Sequence, residues 1–157
     1  MAQGTVIVFD DALQYFFKGS PECPFDIGAT PDVFKCAIVD NTIVPVTTAV
    51  DPCWGAGGTV NYAANEQSGG NFTAGGLVLA TPTVSIVGGV PQIDFGDPAQ
   101  WAKNAANPTA CYHGIIYSDT ATNKNCLGAV DLGGLFDATT GPLDIAWGAP
   151  FMTADQV

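Results

Sequence analysis

Glycine and proline break this chain into short pieces. Its 157 residues hold 19 Gly and 11 Pro, set among valine, isoleucine, threonine and phenylalanine, and that mixture favours short strands joined by turns over long helices. The expected fold class is all-β: an antiparallel β-sandwich with one short N-terminal helix, with a jelly-roll winding left open as an option. The length fits one domain over residues 1–157, and no repeat, linker or charge block divides it.

The helix is expected over residues 6–17 (VIVFDDALQYFF), where Phe9, Leu13, Phe16 and Phe17 recur at helical spacing. Asp10 and Asp11 lie near its start, where the helix dipole favours negative charge, and Gly19 and Pro21 end it. Its phenylalanines are expected to pack on a sheet. Residues 32–39 (DVFKCAIV) read as a half-buried strand with a turn at Asp40 and Asn41, and residues 51–58 (DPCWGAGG) as a loop. A polar, glycine-rich stretch over 65–76 leads into an apolar run at 77–80. Gly88-Gly89 is a two-residue turn signal that makes TVSIV and PQIDF a hairpin. A second hairpin joins 110–117 to 125–132. With its centre near Ala121 and Thr122, Tyr117 faces Cys126, Ile115 faces Gly128, His113 faces Val130 and Cys111 faces Leu132. Gln100 and Trp101 begin a short extended piece, and residues 142–147 (PLDIAW) form a last strand.

Charge excludes one class of partner. Fifteen acids stand against four lysines (Lys18, Lys35, Lys103, Lys124) and no arginine, a net charge of -11. Neutralising phosphates needs a basic footprint, and bidentate reading of guanine is work for arginine, so no nucleic-acid partner is expected. The chain opens Met-Ala-Gln-Gly with neither a basic nor a long apolar leader, and its apolar runs are too short to span a bilayer, so no membrane partner is expected and synthesis in a cytosol follows.

No catalytic, cofactor or metal residue is assigned. His113 is the sole histidine and falls mid-strand, away from any serine or cysteine it could activate. Asp94, Asp97 and Asp119 could pair for acid-base work, but Asp97-Pro98 and Asp119-Thr120 read as turns in which aspartate caps its own backbone. The paired glycines lack the Lys-Ser/Thr of a phosphate loop. Trp54, Trp101 and Trp147 could form a carbohydrate platform, yet tryptophans in a sandwich of this size more often lie in the core.

Five cysteines (Cys23, Cys36, Cys53, Cys111, Cys126) show neither CxxC nor Cys/His spacing, which argues against zinc. Cys111 and Cys126 are about 20 Å apart along the proposed hairpin at about 3.3 Å per residue, too far for a bridge. Cys36 reads as a small buried hydrophobe. Cys23, between Pro21 and Pro24, and Cys53, after Pro52, fall on loops, which makes them the candidates for an inter-chain or loop disulfide formed after release from a reducing cytosol.

Six segments, in order, resemble a family of small virion structural proteins of tailed phages. Residues 32–39 (DVFKCAIV) are similar to a "DTFKVALV" strand, and residues 70–77 (GNFTAGGL) to "GYTAGGxxL". Residues 94–101, with Asp94, Asp97 and Trp101, are similar to "DADDxxW". Residues 110–121 (ACYHGIIYSDTA) resemble "ARYAVIYxDTA", residues 126–134 (CLGAVDLGG) resemble "PLLGYVDFGG", and residues 141–147 (GPLDIAW) resemble "GxFTIxW". Each segment alone is unspecific, and together they cover most of the chain. The pattern's arginine is Cys111 here, and its cysteines are this chain's own.

The resemblance implies a non-enzymatic protein with no cofactor, most simply a capsid decoration (cement) protein on the outer surface of the shell. The major capsid protein and a small homo-oligomer, dimer or trimer, are then its partners, and the virion its location after synthesis in a bacterial host cytoplasm. Neck, tail or fibre attachment is the alternative within the particle. From other classes, a host-surface or carbohydrate-binding module needs an exposed Trp54 or Trp101, and an enzyme needs a cleft around Asp94, Asp97 or His113.

Overall fold

The computed structural model describes residues 5–18, 23–28, 31–147 and 150–153. They form β1 (Val6–Val8), α1 (Asp10–Lys18), β2 (Phe34–Val39), β3 (Pro52–Cys53), β4 (Val60–Asn61), a single 3-10 turn (Tyr62–Asn65), β5 (Leu77–Val78), β6 (Thr83–Val87), β7 (Val90–Asp94), β8 (Cys111–Ser118), β9 (Cys126–Phe136) and β10 (Met152–Thr153). A five-stranded sheet runs β1-β9-β8-β2-β5 and a three-stranded sheet runs β10-β7-β6, both antiparallel. The fold is therefore mainly β and sandwich-like with one short α-helix, as the glycine, proline and β-branched content predicts.

The centre of the large sheet is apolar on both faces. β8 buries every residue but Tyr112, and β2 every residue but Lys35. A strand flanked on both edges and covered on both faces has no side left for polar alternation, which is why CYHGIIYS reads as a nearly continuous apolar run. A ladder of rings then ties the layers together. Phe16 meets Phe25 at 5.4 Å, Phe25 meets Phe34 at 6.2 Å, Phe34 meets Phe95 at 4.9 Å, and Phe95 meets Phe151 at 5.4 Å. The helix, the large sheet and the ends of β7 and β10 are thereby joined through one line of aromatic contacts.

Five expectations need correction. The helix does not begin at Val6: residues 6–8 pair with β9 (Val6 with Val130, Val8 with Gly128), and helix starts only at Asp10. A run of three β-branched residues satisfies both periodicities, and the open edge of β9 decides between them. Phe17, expected to pack on a sheet, is exposed, and the proposed terminators Gly19 and Pro21 lie outside the described residues.

In the second hairpin Tyr117 does face Cys126, but Leu127 is then an extra residue on β9, so Ile116 faces Gly128 and His113 faces Asp131; a second irregularity between His113 and Cys111 adds three more residues on β9, so that Cys111 faces Phe136. A bulge adds one residue to one strand only, and the side-chain alternation of the two strands cannot reveal it. Residues 142–147 form no strand, only isolated bridges at Leu143 and Ile145, and Leu143 exchanges backbone hydrogen bonds with Trp101. The expected loop at 51–58 contains β3, which pairs in parallel with β4.

Candidate functional site

The titratable groups that chemistry could use are dispersed, and each is engaged in the fold. His113 is buried on β8, its Nε2 lies 3.1 Å from Asn41 Oδ1, and its Nδ1 is 3.8 Å from Asp131 Oδ1. Burial lowers its pKa from 6.5, and the Asp131 carboxylate opposes that shift. Among the described residues no serine or cysteine lies within its hydrogen bonds.

The buried histidine predicts a pH dependence of stability. Its folded pKa is depressed, so the unfolded chain takes up the proton first; stability is complete above about 6.5 and falls as the pH drops below it. Because this is the one histidine in the chain, no other side chain with an ordinary pKa titrates there. Melting temperatures measured across mildly acidic pH are expected to fall in the native protein and to stay flatter in His113→Gln. Equal slopes would show that the imidazole is equally solvated in both states.

Asp94 and Asp97 do not converge on a reacting centre. Asp94 Oδ1 accepts from the Phe151 N–H at 3.3 Å, and Asp97 Oδ1 accepts from the Trp147 N–H at 3.2 Å. Asp97 thus does not cap its own backbone, as its neighbour Pro98 suggests, and the two carboxylates hold a segment 50 and 57 residues away in sequence. Asp119 accepts from Lys35 and Lys124, each at 2.7 Å, and these two hydrogen bonds hold its carboxyl below the usual carboxylate range. Beside it, Asp32 accepts from the Ser118 and Thr120 hydroxyls at 2.8 Å each, while the Asp119 N–H donates to the Val33 carbonyl. This cluster clamps the β8–β9 loop to the start of β2, and both lysines are occupied by it.

The tryptophans are packing residues. Trp54 is buried and stacked on Tyr117 at 4.9 Å and 12°, and Trp101 is buried and stacked on Phe72 at 5.8 Å. Neither ring presents a face to a sugar. Trp147 is half-buried, with its Nε1 donating to the Phe95 carbonyl at 3.1 Å.

All five cysteines are free thiols. Cys23 is half-buried, its Sγ 3.5 Å from the Phe25 carbonyl. Cys53 is not on an exposed loop as its neighbour Pro52 suggests. It is wholly buried in β3, and its Sγ donates to the Gly55 carbonyl at 2.8 Å. The reason is long-range: the Trp54 N–H donates to the Lys124 carbonyl and Cys53 bridges to Asn125, so the β8–β9 loop covers this segment. Another chain reaches Cys53 only after that cover opens. Burial also pushes the Cys36 and Cys111 thiols up to about 12 and raises Cys53 and Cys126.

Among the described residues no group of three or more His, Cys, Asp or Glu side chains could hold a metal ion, and no helix is long and apolar enough to cross a membrane. The feature that sequence reasoning missed is apolar. A groove of about 390 Å³ runs between α1 and the three-stranded sheet, lined mainly by Leu13, Phe16, Phe17, Val84, Ile93 and Met152. Its signal is present in the chain: Leu13, Phe16 and Phe17 share a helix face, and Val84 and Ile86 alternate on β6 opposite Ile93 and Pro91. Comparison with family models, with curated proteins and with solved structures finds no match to this chain.

Proposed function

We propose that this chain is a non-enzymatic structural protein of a phage particle that decorates the outside of the capsid shell, where it binds the major capsid protein as a small oligomer. The observation that carries this reading is that every candidate for chemistry is engaged in holding the fold. His113 faces Asn41, Asp94 and Asp97 hold backbone amides, Asp119 holds two lysines, and Trp54 and Trp101 are stacked in the core. What the chain turns outward instead is an apolar groove and strand, the kind of surface used for assembly.

The virion itself enters through the sequence resemblance. Four of its six segments fall on β2, on the turn before β5, on β8 and its loop, and on β9, which together make up most of the large sheet, and the other two are joined by the Trp101–Leu143 bridge. A cement protein of this build acts by adding buried area across subunit boundaries, so that rupture of the shell must also break those contacts. It needs no cofactor.

Particles assembled without the protein are therefore expected to form normally but to rupture at a lower temperature than complete ones, and adding the purified chain back is expected to restore the difference. Rupture can be followed as release of packaged DNA during heating. An unchanged rupture temperature, together with only a few copies per particle by gel densitometry, would place the chain at the neck or tail.

A further inference from the structure

β6 is the outer strand of its sheet, and all five of its residues are exposed. Exposed edges are normally blunted by lysine, proline, a bulge or a covering loop, because their unpaired backbone groups recruit other strands. β6 (TVSIV) carries no lysine and no proline, its five pairs with β7 run without a register shift, and no other described strand pairs with it. Three of its residues are large aliphatics: Val84 is 57%, Ile86 73% and Val87 58% exposed.

The turn decides which backbone groups are free. Gly88 and Gly89 both have positive φ, +60° and +86°, as a tight two-residue hairpin turn requires. Val87 and Val90 close that turn, so they exchange hydrogen bonds, as do Ser85 with Gln92 and Thr83 with Asp94. Val84 and Ile86 occupy the alternate positions, opposite Ile93 and Pro91, where no bond crosses between the strands. Pro91, which has no N–H, sits where none is needed. The N–H and C=O groups of Val84 and Ile86 therefore point away from β7, toward the open edge.

Charge selects what can lie there. Residues 67–93 contain no charged residue, in a chain whose net charge is -11. Two copies of the chain repel each other wherever acids are exposed, and least along this edge. The strand is also close to a palindrome: Val84 and Ile86 flank Ser85, and Thr83 and Val87 flank both. An edge of this kind is complementary to itself, as a two-fold interface demands.

We propose that β6 pairs antiparallel with β6 of a second copy about a two-fold axis through Ser85, joining two three-stranded sheets into one. In that register Val84 opposes Ile86 of the copy and Ile86 opposes Val84 of the copy. Each pair exchanges two backbone hydrogen bonds, and Ser85 meets Ser85 on the axis. Val84 and Ile86 lie on the face they share with Pro91 and Ile93, so the apolar side chains of the two copies interleave and extend the groove under α1 across the junction. The interface does not depend on the capsid reading and is tested on the purified chain alone.

Sedimentation velocity over a wide range of concentration is expected to show a monomer–dimer equilibrium that tightens with added salt, since screening weakens the repulsion between like-charged copies. Ser85→Asp and Ser85→Lys each place identical charges face to face on the axis, and each is expected to run as a monomer. An equimolar mixture of the two is expected to recover a dimer, which only a self-paired Ser85 predicts. Ile86→Pro removes one outward donor per copy without touching the bonds to β7, and is expected to weaken the dimer on the order of 30-fold. Near-ultraviolet circular dichroism checks that each variant keeps the native fold. A native chain that is monomeric throughout, a trimer, or a dimer that survives Ser85→Asp would overturn the proposal.

Discussion

Gly76→Ala is expected to lose about 4 kcal/mol or more of folding stability, at the extreme end for a single added methyl. Gly76 precedes β5 with φ of +77°, and a Cβ placed there would lie 2.1 Å from the Cys36 carbonyl oxygen and 2.5 Å from the Ala37 Cα. Both atoms belong to the backbone of β2. That strand cannot retreat, because its other edge is paired with β8 through Cys36 with Ile116 and Ala37 with Ile115. Relief must come from β5 leaving the sheet, which also removes the Tyr117 hydroxyl's acceptor, the Gly75 carbonyl at 2.8 Å. Gly88→Ala is the control: its φ is +60° but nothing lies within 4 Å of the added carbon. Conformational strain alone, about 1–2 kcal/mol, is expected there. Urea unfolding of the two variants separates the terms, and equal midpoints would show that the approach of β5 to β2 is looser than described.

Trp101→Ala is expected to destabilise the protein by about 3–5 kcal/mol, the range for removing a buried tryptophan from a core. The ring is fully covered and stacked on Phe72, and the backbone around it exchanges two hydrogen bonds of 3.0 Å with Leu143. Beyond it, the buried Asn107 donates to the Ala102 and Ala138 carbonyls and accepts from the Asn71 N–H at 2.8 Å. The indole is thus the filled centre of a loop assembly that carries no regular strand of its own. Trp101→Phe keeps an aromatic partner for Phe72 and is expected to lose less. Thermal unfolding measures both. A sugar-binding platform at this residue has the opposite signature, with the melting temperature unchanged and glycan affinity gone.

The parts of the fold that could be read from the chain are those fixed over a few residues. Gly88-Gly89 specifies a turn geometry that few other dipeptides adopt, and the TVSIV hairpin forms with the pairing that turn dictates. Asp40 makes its turn by accepting from the Thr42 N–H two residues on. Where the outcome depends on distant partners, the local signal is ambiguous. Val6–Val8 continues a helical pattern but finds the edge of β9; Cys53 sits among loop residues yet is covered by residues 124 and 125; Leu127 slips the register of β9 against β8. The candidate surface was hidden for a related reason. Leu13, Phe16 and Phe17 announce an apolar helix face, but a periodic pattern does not say whether that face is covered, and here Phe17 is 86% exposed.

The buried thiols have a consequence for observing the molecule in motion. A thiolate reacts with alkylating reagents and a protonated thiol scarcely does, so cysteines held at about 12 are silent while the fold is closed. The buried four are also spread over different elements: Cys36 on β2, Cys53 on β3, Cys111 at the start of β8 and Cys126 at the start of β9. Each can be labelled only as fast as its own neighbourhood opens. The chain thus carries its own set of local clocks, and the order in which its four buried sulfurs acquire a label reads out the sequence in which the sandwich comes apart.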